Sequence, residues 1–210
     1  MKLPNFFVLF VFFASMLGCK DDPCESTSCL NGGTLVTQKS GCNCNCAGTG
    51  YQGENFETKI LELGVEHEGG IIFYLDNTGE HGLIAAKEDA SISAPWGCTG
   101  TLVTEVENAT IGSGSGNTTA IVNACTTAGI AAKVCYNFSS NGKSDWYLPA
   151  EDELLQLYKQ KGKCGEFKSI FYWSSTSYSA ASGRFINFNT GEVFSDDKSY
   201  GHGVRSIRSF

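Results

Sequence analysis

The placement of ten cysteines in a chain of 210 residues limits its folding more than any other feature, because each thiol must be paired, modified or buried. They fall into three groups: Cys19 alone, five between residues 24 and 46, and Cys98, Cys125, Cys135 and Cys164 spread over the remainder. An even count in an exported chain reads as a disulfide framework. Export is indicated at the start. Lys2 precedes the apolar run Phe6-Phe7-Val8-Leu9-Phe10-Val11-Phe12-Phe13, and Ala14-Ser15-Met16-Leu17-Gly18-Cys19 follows. A positive start, an apolar run and small residues before a break form a secretory signal. The run is far short of the roughly 20 residues that cross a bilayer, and Lys20-Asp21-Asp22 ends it, so no retained spanning helix is expected.

Met16-Leu17-Gly18-Cys19 resembles a bacterial lipobox. The resemblance implies cleavage of residues 1–18, a diacylated Cys19 thiol and an acylated amine. Three acyl chains exceed the two signals needed for stable anchoring, so the expected partner is a membrane held through lipid. Cys19-Lys20-Asp21-Asp22 resembles the export signal of Bacteroidota surface lipoproteins, which implies display from the bacterial outer membrane at the cell surface, with residues 19–23 as the linker.

Residues 24–57 hold Cys24, Cys29, Leu30-Asn31-Gly32-Gly33-Thr34, Cys42, Cys44, Cys46 and Gly50-Tyr51-Gln52-Gly53. This piece resembles an EGF-like module. A short chain with almost no aliphatic core needs covalent staples, and Asn-Gly-Gly supplies positive-φ turn positions. Two positions that the resemblance fills with cysteine are Leu35 and Phe56. Residues 42, 44 and 46 share one face of an extended segment. Two bridges at most can then form among these five cysteines, leaving one odd thiol and the pairing open. The C-x-C-x-C run could hold Zn²⁺ with the upstream pair, but export favours oxidation; beyond Asp21-Asp22 no Ca²⁺ ligand pattern is recognisable. No metal or cofactor is expected, and the module reads as a spacer.

Residues 58–210 read as a larger domain. Gly69–Leu75 and Gly82–Ala86 flank Asp76-Asn77-Thr78-Gly79 as a β-hairpin. A helix starting near Asn117 or Thr118 places Ile121, Ala124, Cys125 and Ala128 on its apolar face. A second, after Leu148-Pro149, has Glu151, Asp152 and Glu153 in its first turn and Leu154, Leu155, Leu157 and Tyr158 as its buried stripe, a charge order suited to the helix dipole. Strands follow around 172–175, 183–188 and 204–208. This order predicts an α+β domain with a mainly antiparallel sheet and two helices.

Trp96-Gly97-Cys98, Ile111-Gly112-Ser113-Gly114, Gly129-Ile130-Ala131-Ala132, Ser144-Asp145-Trp146-Tyr147-Leu148-Pro149, Glu153-Leu154, Tyr172-Trp173-Ser174-Ser175 and Val204-Arg205-Ser206-Ile207-Arg208 occur in this order. Together they resemble the C-terminal domain of the Legionella collagen-like adhesin. The resemblance covers about 140 residues and implies a C-type lectin-like head; for the adhesin it implies sulfated-polysaccharide binding. This chain has no collagen-like stalk. Without Lys2 it carries 14 Lys+Arg (15 less one) against 22 Asp+Glu, which disfavours a heparin-type site and nucleic acid. Arg184, Lys198, Arg205 and Arg208 are the cations that could cluster, with Arg205 and Arg208 expected to be structural.

No catalytic motif appears. His67, His81 and His202 form no HExxH, Ser174-Ser175 sit in no G-x-S-x-G elbow, and the Gly112–Gly116 stretch lacks a following Lys-Ser/Thr. That stretch reads as a mobile loop. Cys125 and Cys135 would stand about 15 Å apart in one helix, too far to bridge. They can pair only if Gly129 turns the chain, and the pairing among the four head cysteines stays open. Trp96, Trp146 and Trp173 read as core. Ligand candidates lie in and beside the loops between the last strands: Tyr178, Arg184, Asn187, Lys198, Tyr200 and His202. The expected protein is a surface-anchored, non-catalytic lipoprotein whose head binds a glycan or another extracellular surface. The alternatives are an envelope component contacting other envelope proteins and, more weakly, a secreted redox enzyme.

Overall fold

A computed structural model describes Cys29, residues 34–38, 41–45, 51–52 and 58–59, and all of 61–210. Residues 1–18, Cys19, where lipidation is expected, and Cys24, Cys46 and Phe56 lie outside the described residues. The chain divides into two compact units, Met1–Ile60 and Leu61–Phe210. In the first, β1 (Thr34–Gln38) pairs antiparallel with β2 (Gly41–Asn45), and β3 (Tyr51–Gln52) with β4 (Thr58–Lys59). The second pairing keeps Thr58 and Lys59 in the first unit, so the boundary falls three residues later than the sequence suggests. Cys44 bridges Cys29 with Cα atoms 5.8 Å apart. Cys42, two residues earlier in β2, is also disulfide-bonded.

The second unit contains β5 (Glu66–His67), β6 (Gly70–Leu75), β7 (Gly82–Ala85), β8 (Ser91–Pro95), α1 (Gly114–Ala124), α2 (Ala131–Tyr136), α3 (Glu151–Lys159), β9 (Phe171–Ser177), β10 (Ser182–Asn187), β11 (Val193–Asp197), β12 (Gly201–Val204) and β13 (Ile207–Ser209). It is an α+β unit with two sheets, ordered β13-β7-β6-β5 and β11-β10-β9-β12-β8. All strand pairs are antiparallel except β12 with β9. The β6–β7 turn forms because the Asp76 carboxylate accepts from the Thr78 and Gly79 N–H groups, both at 3.0 Å. The second sheet is larger than expected: β11 and β12 continue the chain after β10.

There are three helices where two were expected. α1 begins at Gly114, and Cys125 after it is extended; Ala128 lies outside any helix. Gly129, at φ +71°, turns the chain into α2. The 112–116 stretch is not a separate loop but leads into and begins α1, and Glu153 holds it. Its buried carboxylate accepts the Ala150 N–H at 2.7 Å, at the start of α3, and the Gly112 N–H at 2.9 Å, at the entrance to α1. Gly114 is packed against the same carboxylate with no room for a Cβ. One carboxylate thus supplies partners at two helix N-termini, whose N–H groups have none within the helix.

Two large clusters make the core. α3 contributes Leu154 and Leu157 to one, with Phe73 and Leu83 of the first sheet and Tyr172 and Ile186 of the second. The other joins Ile121 of α1 and Ala131, Ala132 and Cys135 of α2 to Trp96, Trp173, Phe185 and Val204. All three tryptophans are core residues. Each indole N–H donates to a carbonyl: Trp96 to Ser174 at 2.8 Å, Trp173 to Ala94 at 2.9 Å and Trp146 to Lys143 at 3.2 Å, as buried indoles require.

The head cysteines need a correction. Cys98 and Cys125 form a bridge, with Cα atoms 5.4 Å apart. Cys135 and Cys164 are not disulfide-bonded but are buried free thiols. Cys135 packs in the α1/α2 cluster and Cys164 in the α3 cluster, so each is buried among different neighbours. Burial pushes the Cys135 thiol up to about 12 and the Cys164 thiol to about 11.

Candidate functional site

Four cations are candidates for one basic cluster, but three of them, Arg184, Arg205 and Arg208, each have carboxylate partners of their own. Arg205 is fully buried and pairs with Asp89 at 2.8 Å, while its guanidinium also donates to the Ala86 and Cys164 carbonyls. Arg208 pairs with Asp145 and Glu68. Those contacts hold both carboxyls below the usual carboxylate range, and both arginines serve the fold. Arg184 lies 4.3 Å over the Tyr178 ring and 3.6 Å from Glu151. Lys198 differs from all three.

Lys198 stands just after β11 and is 0% exposed. Its ammonium sits 4.2 Å over the Trp96 ring and donates to the Thr101 carbonyl over a long 3.4 Å. Among the described residues no carboxylate pairs with it. Burial without a counter-charge lowers its affinity for a proton, to a pKa of about 8. The backbone fixes it in place: Lys198 N–H donates to the Ala181 carbonyl at 2.9 Å, and the Lys198 carbonyl accepts from Gly97 at 3.1 Å.

Lys198 forms part of the wall of a cavity of about 540 Å³ where three loops meet. The segment after β8 brings Cys98, Thr99 and Thr101, the α1–α2 connection brings Cys125, Thr126 and Thr127, and the β11–β12 turn brings Lys198 and Ser199. The Cys98–Cys125 bridge ties the first two loops together, and Cys98 holds a left-handed backbone, φ +54°, an uncommon conformation for a side-chain-bearing residue. The volume lies in the range of small-molecule sites. Five hydroxyl-bearing residues and an uncompensated positive charge behind the wall suit a hydroxylated or electron-rich ligand. A larger space, about 700 Å³ along α1, is lined by Val103, Ser115, Gly116, Thr119, Ala120, Asn123 and Ala124 and holds no charged or aromatic group.

The remaining sequence candidates are dispersed. The Asn187 side chain accepts from the Asn189 N–H at 2.9 Å and shapes the β10–β11 turn. Tyr178 and Tyr200 are exposed; Tyr178 is held by Arg184, and Tyr200 follows Ser199 at the cavity wall. His202 belongs to an aromatic group on the second sheet. Its ring lies 4.3 Å from Trp173, 4.6 Å from Phe185 and 5.6 Å from Phe171; Phe185 in turn stacks with Phe194 at 5.7 Å. Its Nε2 is 3.2 Å from the Asp196 carboxylate, yet it is buried without a well-oriented hydrogen bond. Burial holds the imidazole below its ordinary pKa. Phe171, Phe194 and Asp196 were not singled out from sequence, although Val193-Phe194-Ser195-Asp196 alternates as a strand does and puts Phe194 and Asp196 on one face.

Among the described residues, no group of His, Cys, Asp or Glu side chains is gathered to hold a metal ion, and no helix is long and apolar enough to cross a membrane. No family model matches the chain, and no curated protein shows significant similarity to it.

Proposed function

We propose that the chain is a lipid-anchored lipoprotein of the bacterial outer membrane, facing the cell exterior, whose C-terminal head recognises a glycan or another extracellular surface without catalysis. The anchor reading rests on the residues around Cys19, the spacer on the EGF-like spacing of residues 24–57, and a C-type lectin-like head on the ordered blocks from Trp96 to Arg208. The observation that carries recognition is the hydroxyl-lined cavity with Lys198 buried in its wall. An unpaired buried ammonium costs stability unless something offsets it, and a ligand rich in oxygen acceptors is a fitting counterpart. Hydroxyls of Thr99, Thr101, Thr126, Thr127 and Ser199 offer both donors and acceptors to such a ligand.

The test is a binding screen of the full-length mature protein against glycans and extracellular-matrix proteins, repeated with Lys198→Met. Methionine keeps the apolar stem and removes the charge, so the fold should hold while affinity for the ligand falls about tenfold. A folded protein that binds nothing in the screen, or that binds equally well with Lys198→Met, would overturn the assignment of this cavity. A stoichiometric envelope-protein partner recovered by crosslinking on intact cells would favour an assembly role instead.

A further inference from the structure

The second sheet carries a group of rings unlike the rest of the core. Phe185, Trp173 and His202 are buried, but Phe171 is 37% and Phe194 44% exposed, flanking them at the surface. Phe171 meets Phe185 at 5.3 Å and Phe194 stacks on it at an interplanar angle of 29°. Beside the rings, the Asp196 carboxylate is partly exposed, receives the Asp197 N–H at 2.9 Å and has no Lys or Arg partner among the described residues. The buried His202 Nε2 faces that carboxylate without a well-oriented hydrogen bond. The face therefore combines solvent-exposed ring surface with incompletely used polar groups.

The geometry points to a stacking site for a neutral sugar residue, with the exposed face of Phe194 under its C–H face, Phe171, turned across Phe185 at 77°, at its border, and Asp196 accepting from its hydroxyls. This rests on the reading of the head as a recognition module but places ligand away from the Lys198 cavity. Area argues against a protein partner. The exposed parts of Phe171, Phe194 and neighbouring Ile170 amount to roughly 250 Å², well below the approximately 800 Å² per side of a stable protein interface. Charge argues against a second copy: β11 is an edge strand bearing Asp196 and Asp197, and like carboxylates across an edge pairing repel. It also argues against an acidic sugar, since the ligand must meet a carboxylate that no Lys or Arg among the described residues neutralises. A pyranose has what the face lacks, an apolar side whose C–H groups carry slight positive charge for the negative ring faces and a rim of hydroxyl donors for Asp196.

The experiment is calorimetric titration of the full-length mature protein with neutral oligosaccharides of glucose, galactose, mannose and N-acetylglucosamine, with choline as a cationic comparison. Wild type and the variants Phe194→Ala, Phe194→Trp and Asp196→Ala are measured alongside Lys198→Met, with thermal unfolding reporting the fold of each. The expected result is that a neutral oligosaccharide binds, that Phe194→Ala and Asp196→Ala each weaken it about tenfold, and that Phe194→Trp keeps it within about twofold. Retention by Phe194→Trp separates stacking from a merely structural role. If affinity is lost only with Lys198→Met, the stacking site is overturned while the recognition reading stands. Binding of choline alone, or of no neutral oligosaccharide, also overturns the stacking site.

Discussion

Glu153 joins two separate parts of the head through one side chain. Its carboxylate receives the N–H groups of Gly112 and Ala150, so truncation strands donors at the entrances to two helices and opens a void between them. Glu153→Ala is expected to lower unfolding stability by about 3 kcal/mol in chemical denaturation. Burial also raises the pKa of this carboxyl, so between the unfolded and folded values the folded chain binds more protons. Stability from this group therefore falls as pH rises through that window and is greatest below the unfolded value. Subtracting the stability–pH curve of Glu153→Gln from that of wild type should expose this downward step. A flat difference would mean that the carboxyl does not titrate with folding. The Glu153-Leu154 pair was visible in the sequence as a helix start, but its reach to Gly112, 41 residues away, was not, because local patterning carries no information about which distant N–H groups a buried acid will satisfy.

Elements bounded by strong local signals were the legible ones. Asp76 and Gly79 announced the β6–β7 turn, and Leu154 and Leu157 recur at helical spacing in α3. α2 was missed because it spans only Ala131–Tyr136 and owes its place to packing against α1 and Trp96. β11 and β12 were missed because Ser195, Asp196, Asp197, His202 and the glycines around it mask the alternation of edge and short strands. That omission hid the Phe194–Asp196 face, while Lys198 was reached from sequence only as a loop cation. The segment between β8 and α1 has little regular structure, and the Cys98–Cys125 bridge, closing 27 residues, is its covalent restraint. Replacing both cysteines with alanine should cost about 3.5 kcal/mol by the loop-entropy relation, read as a lower denaturation midpoint. A change below about 1 kcal/mol would show that the loop is held by packing alone.

At the scale of the molecule, the described cysteines belong to two chemical classes, disulfide-bonded and buried free thiol. Alkylation of native protein should leave Cys135 and Cys164 untouched, since burial keeps both thiols protonated and screened. Alkylation after unfolding without reductant should label both and spare Cys98 and Cys125, with the Cys19 peptide carrying lipid mass. Labelling of Cys135 in the native state would contradict its packing. The count and grouping of cysteines were plain in the sequence; the split of the head set into one bridge and two thiols depends on how α1 and α2 meet in three dimensions. The first sheet also bears on how the head is made. β13, from Ile207–Ser209, pairs with β7 across more than a hundred residues, and the Phe210 ring lies 4.5 Å from His67. A chain made N terminus first cannot close this pairing until residues 207–209 have emerged. Until then Leu83 and Ala85 of β7 lack one flanking strand, so the first sheet stays open at that edge and closes only when the last strand arrives.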